Sequence, residues 1–232
     1  MAAFRLAIRL SATAIETDVQ MSRDGHLLLI HDGTLRRTTN GCGRVSSKSF
    51  EELTRLDAGS WFPKRLLQRR HGQRQFERIP SLEELFALAR EHKLRLYLEI
   101  KTPAPAGIET ALVAAIRQAG LVRSCAIICF DAEVLRRVRK IDSEIPLGYL
   151  CEKRVAGAVP RAVDLGARFI LPRADRVSAK LIADAKANGL GIVTWTVNKP
   201  IQMRRLIALG VDGIMSDFPD RLAAAVREAD AT

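Results

Sequence analysis

Three carboxylates set inside apolar, strand-like runs are the residues most open to chemistry in this sequence: Glu16 and Asp18 in the run 14–21, and Glu99 in the run 94–100. A buried carboxylate without a partner is costly, so such groups pair with a cation or bind a metal. Side chains alternate along a strand, which puts Glu16 and Asp18 on one face. Three carboxylates with no cysteine among them make a hard oxygen site, suited to Mg²⁺ or Ca²⁺ rather than Zn²⁺. The alternative is that Glu16 and Asp18 pair with Lys or Arg at a sheet rim, and spacing alone leaves both readings open. His31-Asp32 closes the next apolar run, where an imidazole facing two carboxylates could exchange protons near neutral pH. Lys101 follows Glu99 by two residues and projects to the same side. It could hold a phosphate or form a salt bridge to Glu99 itself. Trp195, at the end of a later run, could wall a substrate pocket or pack as an ordinary buried strand residue. His26, His71 and His92 read as solvated bystanders.

These groups must be positioned by an alternation of short β-rich runs and segments of helical period, the pattern of an α/β fold with a parallel sheet. The predicted strands are 14–21, 27–31, 94–100, 126–130, 146–150, 167–171, 191–197 and 213–216. Five residues separate the first two, too few for a parallel return, so they form a hairpin about Asp24-Gly25. Counting back from that turn places His31 roughly across from Asp18. Setting the return arm aside leaves seven parallel strands, which fits an eight-stranded (β/α) barrel lacking one strand better than a doubly wound sheet. Helix starts are visible at Ser49 with Glu52 and at Ser81 with Glu84, both capping boxes, and at Asp131, which caps a helix through Arg139. The chain opens on an amphipathic helix, whereas a barrel normally opens on a strand.

Length and composition bound the rest. The 232 residues are 47% hydrophobic and 27% charged, enough for one domain over 1–232 with a core burying about 70 to 75% of the unfolded surface. No apolar run of about 18 residues and no signal cleavage site are present, so a cytoplasmic protein without a transmembrane segment is expected. Cys42, Cys125, Cys129 and Cys151 form no C-x-x-C pair and read as structural thiols in a reducing compartment. The net charge of +11 favours anionic partners in general. The basic residues show no aromatic interleaving, so no specific nucleic-acid partner is expected. Residues 64–78 form a basic stretch relieved only by Glu77, read as an exposed loop or a short helix.

Several segments together resemble the glycerophosphodiester phosphodiesterase family: Ala14-Ile-Glu-Thr-Asp-Val-Gln, Leu29-Ile-His-Asp, Leu35-Arg-Arg-Thr-Thr-Asn-Gly, Ile79-Pro-Ser-Leu-Glu-Glu, Leu98-Glu-Ile-Lys, Trp195-Thr-Val-Asn and Gly210-Val-Asp-Gly-Ile-Met-Ser-Asp. They run in the family's order across nearly the whole chain. The resemblance implies a TIM-type (β/α)8 barrel of the PLC-like phosphodiesterase type with its first strand missing. It implies that Glu16, Asp18 and Glu99 hold a divalent cation, Mg²⁺ or Ca²⁺, that His31 is an acid/base and that Lys101 helps to bind phosphate. The implied reaction is hydrolysis of a small-molecule glycerophosphodiester to sn-glycerol 3-phosphate and an alcohol. Family members open with a strand ending in His-Arg-Gly, followed by a helix that resembles residues 1–10. This chain starts at the helix, so the expectation is a shortened barrel lacking one of two histidines, an adjacent Arg and a further carboxylate. The competing reading is a non-catalytic barrel that captures phosphodiesters or other anions.

Overall fold

The computed structural model describes residues 1–62, 76–153 and 155–231. The basic stretch 64–78 therefore falls largely outside the described residues, with only its last three positions visible. Of these, Glu77 accepts from the backbone N–H of Ala2 at 3.3 Å and pairs with the amino terminus of Met1 at 3.5 Å. It sits where the first turn of α1 (Ala2–Arg9) leaves its N–H groups without intrahelical partners.

Eight strands make one sheet: β1 (Ala14–Met21), β2 (Leu27–Leu29), β3 (Arg95–Ile100), β4 (Cys125–Cys129), β5 (Leu147–Cys151), β6 (Phe169–Pro172), β7 (Gly191–Thr194) and β8 (Gly213–Ile214). They lie in the order β2-β1-β3-β4-β5-β6-β7-β8. Only β2 is antiparallel, and seven parallel strands follow the expected count. The connecting helices are α2 (Phe50–Thr54), α3 (Leu82–His92), α4 (Ile108–Gln118), α5 (Ala132–Ile141), α6 (Ala158–Asp164), α7 (Ala179–Ala187) and α8 (Pro200–Leu209), with α9 (Pro219–Asp230) closing the chain. Ser49 and Ser81 form the two expected capping boxes, and Asp131 caps α5 by accepting from the Glu133 N–H. No helix among the described residues is long and apolar enough to cross a membrane.

Period-two alternation sorts the strand residues into two cores. Leu96, Leu98, Ile100 and Ile127 face the helices. Ala126, Ile128, Leu150, Leu171 and Val193 pack together inside the curl, with Tyr97, Phe169 and Trp195 against them. Gly148 keeps that interior narrow: a Cβ there would lie 2.5 Å from Leu171 Cδ1 and 2.9 Å from Ile128 Cγ2. This is the barrel order with no strand between β8 and β1 among the described residues. β2 covers the second edge of β1 only along Val19–Met21.

Two expectations need correction. The register Val19↔Leu29, Gln20↔Leu28, Met21↔Leu27 runs one residue off the predicted one, and β2 stops at Leu29, so His31 is not paired across from Asp18. The cause is the turn, where the Ser22 N–H closes on the His26 carbonyl, and the Leu29 N–H then turns away to donate to Pro80 O. Cys42 is exposed, between two glycines of the 41–43 loop, so it is no buried structural thiol as Cys125, Cys129 and Cys151 are.

Candidate active site

The parallel register sets Asp18 beside Glu99 and Glu16 beside Tyr97, one alternation step towards the amino end. Since the apolar neighbours Ile15, Val19, Leu98 and Ile100 occupy the helix-facing side, the three carboxylates are forced onto the inner face. There Glu16, Asp18 and Glu99 bring ligand oxygens within 4.8 Å of one another. Lys101, just past β3, reaches back to both acids, with Nζ 2.9 Å from Asp18 Oδ1 and 2.8 Å from Glu99 Oε1. The salt bridge expected as one option for Lys101 is therefore present, and it spans two carboxylates.

One ammonium against three carboxylates leaves the cluster short of positive charge. Glu16 lines the cleft and is the most open of the three acids. Desolvation there, reinforced by the charges of Asp18, Glu99 and Asp217 and opposed by Lys101, pushes its pKa up to about 8. Glu99, 6% exposed, is also raised, first by burial and then by Asp18, against the pull of Lys101. Burial works against the Lys101 ammonium, but hydrogen bonds to Glu99 and Asp18 outweigh it, so its pKa rises. An all-oxygen donor set of this charge fits a hard divalent cation.

His31 lies past β2, exposed, with Nδ1 2.7 Å from Asp32 Oδ1. It lines the same cleft as Glu16, Asp18, Glu99, Lys101 and Trp195, a volume of about 2030 Å³ that continues between β1 and β8 towards α1, α8 and α9. Trp195 is fixed by Nε1 donating to Leu171 O at 2.7 Å, and Phe130 meets its ring edge-on with centroids 5.5 Å apart. Phe130, Asp217 and Arg37 are site neighbours that sequence reasoning passed over. Phe130 is 39% exposed at the end of β4, and Asp217 accepts from Asn198 Nδ2 at 2.7 Å. Arg37 grips Asp32 by two hydrogen bonds, Nε to Oδ2 at 2.6 Å and Nη2 to Oδ1 at 2.8 Å. The signal for Arg37 was its place in the Leu35-Arg-Arg-Thr-Thr-Asn-Gly segment, and that for Asp217 its place at the end of the Gly210-Val-Asp-Gly-Ile-Met-Ser-Asp segment; Phe130 offered only its position just past a strand.

Comparison with known proteins shows the family and the fold. A sequence model of the glycerophosphoryl diester phosphodiesterase family matches residues 1–221. The chain belongs to that family. A glycerophosphodiester phosphodiesterase of Caldanaerobacter subterraneus subsp. tengcongensis is 35% identical over 230 residues, 98% of this chain and 91% of the relative. The crystal structure of the glycerophosphodiester phosphodiesterase of Agrobacterium tumefaciens superposes with a TM-score of 0.81 at 30% identity, covering 96% of this chain and 91% of that one. A phosphodiesterase of Oleispira antarctica, solved in complex with the product sn-glycerol-3-phosphate, gives a TM-score of 0.83 at 26% identity over 97% of this chain and 90% of its own. The opened sheet is thus the TIM-barrel fold of the glycerophosphoryl diester phosphodiesterases.

Proposed function

We propose that this chain hydrolyses glycerophosphodiesters to sn-glycerol 3-phosphate and an alcohol. The observation that supports it best is the meeting of Glu16, Asp18, Glu99 and Lys101 in one cleft with His31. Glu16, Asp18 and Glu99 would hold Mg²⁺ or Ca²⁺, which when bound supplies positive charge to neutralise the phosphate oxygens. Lys101 binds the phosphodiester as a point charge, drawn from its carboxylates by the incoming anion. His31 exchanges the proton at the reacting oxygen, for which its accessible ring is suited. Trp195, held by its indole N–H, walls the ester side of the cleft.

A second reading, capture of phosphodiesters without turnover, is favoured by one feature. His31 is the one histidine lining the cleft among the described residues, whereas protonating the departing oxygen and deprotonating the attacking one calls for two stations. Incubation with glycerophosphocholine and Mg²⁺ or Ca²⁺, following glycerol 3-phosphate release, separates the two. Hydrolysis predicts turnover that falls by ~10²- to 10⁴-fold in His31→Ala. Glu99→Ala should lose it as well. Cation binding with no release from the unmodified chain would leave only the second reading.

A further inference from the structure

The loop after β2 contains a chain of contacts that the proposed reaction does not use. His31 Nδ1 meets Asp32 Oδ1, and Arg37 grips both Asp32 oxygens in a planar fork. A carboxylate can only accept, so the hydrogen between His31 and Asp32 belongs to Nδ1. Arg37 is held in turn by its own short turn. Leu35 is fully buried, and Thr39 donates to the Leu35 carbonyl at 2.7 Å while accepting from the Gly41 N–H at 2.9 Å. The guanidinium is therefore presented from a fixed backbone, which distinguishes it from a loose surface ion pair. Its hydrogen bonds, aided by that from His31, hold Asp32 far below the usual carboxylate range, so the group remains an acceptor wherever imidazole chemistry operates.

We propose that Arg37 and Asp32 are positioning residues for His31: Arg37 fixes the Asp32 carboxylate, and Asp32 fixes the ring as its Nδ1–H tautomer, leaving Nε2 as the proton acceptor. The inference rests on the reading of His31 as the proton-exchanging group, and it adds the reason one ring nitrogen rather than the other serves. If the contacts merely staple the loop, the tautomer has no dependence on them.

The test reads tautomers directly in the full chain, labelled with ¹⁵N, by long-range ¹H–¹⁵N correlation at a pH where the imidazoles are neutral. The His31 signals are identified by their loss in His31→Gln. The unmodified chain should show mainly Nδ1–H. Asp32→Ala should lower the ratio of Nδ1–H to Nε2–H by about tenfold or more, because a charge-assisted hydrogen bond is lost. Arg37→Gln should lower it by roughly two- to fivefold, with Arg37→Lys, which keeps the charge but not the fork, falling between it and the unmodified chain. A ring that is mainly Nε2–H in the unmodified chain, or a ratio unmoved in Asp32→Ala or Arg37→Gln, overturns the proposal. Should Asp32→Ala fail to fold, as seen by circular dichroism, Arg37→Gln and Arg37→Lys still decide it, since that side chain is exposed. The readout needs neither turnover nor a bound cation. Expected tautomers without glycerol 3-phosphate release would sink the functional reading alone.

Discussion

Asp142, in the connection before β5, and Glu16, within β1, are carboxylates that the protein surrounds in opposite ways. Asp142 lies between α5 and the amino end of β5 and is 4% exposed. Arg117 Nε donates to its Oδ2, and the backbone N–H groups of Glu144 and Ile145 reach Oδ1 at 2.8 and 2.9 Å. Burial works to raise its pKa, but Arg117 and the two N–H groups overcome that and hold it below the usual range. Glu16 stands beside two other acids that take up the Lys101 ammonium between them, and its pKa rises to about 8. A carboxylate whose acceptor sites are filled from its own fold is an anchor. One that the fold leaves short of donors is available to an outside cation.

The comparison can be broken most easily at Glu99. Glu99→Gln should reduce divalent-cation affinity, measured by titration calorimetry, by at least about 100-fold, given that even supporting residues at metal sites are worth 10 to 100-fold. The melting temperature should not fall, because one of the crowded charges is removed. Retained affinity would mean that these oxygens are not the ligands. Asp142→Ala should act the other way: about 2–3 kcal/mol lost in urea unfolding, as the buried Ile145 N–H and the part-buried Glu144 N–H lose their acceptor, with cation affinity unchanged.

The smallest effect concerns pH. Folded Glu16 keeps its proton to about pH 8, while the unfolded chain releases it near the ordinary 4.5. Between those values the folded state binds more protons, so this group's contribution to stability is present below pH 4.5 and declines as pH rises to 8. Asp142 has the reverse sign: its contribution is present above the ordinary 3.8 and is lost as pH falls below it. Urea unfolding across this range should show the alkaline decline in the cation-free protein and a shallower one in Glu16→Gln. An unchanged slope in that variant would remove Glu16 from the cause.

The legible features were local. Alternation placed Glu16 and Asp18 on one face, Asp24-Gly25 made the hairpin, and Ser49 and Ser81 announced their helices through capping boxes. The misplaced register of His31 came from a turn whose closure depends on Ser22 and His26 and on a neighbour, Pro80, far along the chain. Phe130 and Asp217 were passed over because neither the apolar run before the one nor the family segment that ends on the other reveals what stands opposite across the cleft.

By itself the amino-acid order determined the alternation of strands and helices, the shared face of Glu16 and Asp18 and the family segments, since each follows from steric periods and turn chemistry acting over a few residues. Only the tertiary structure decided that Lys101 spans Asp18 and Glu99, that Asp32 is gripped by Arg37, and that the cleft continues between β1 and β8. These depend on how far each strand runs and how the sheet curls. Both follow from packing summed over the whole chain, which a local window does not contain.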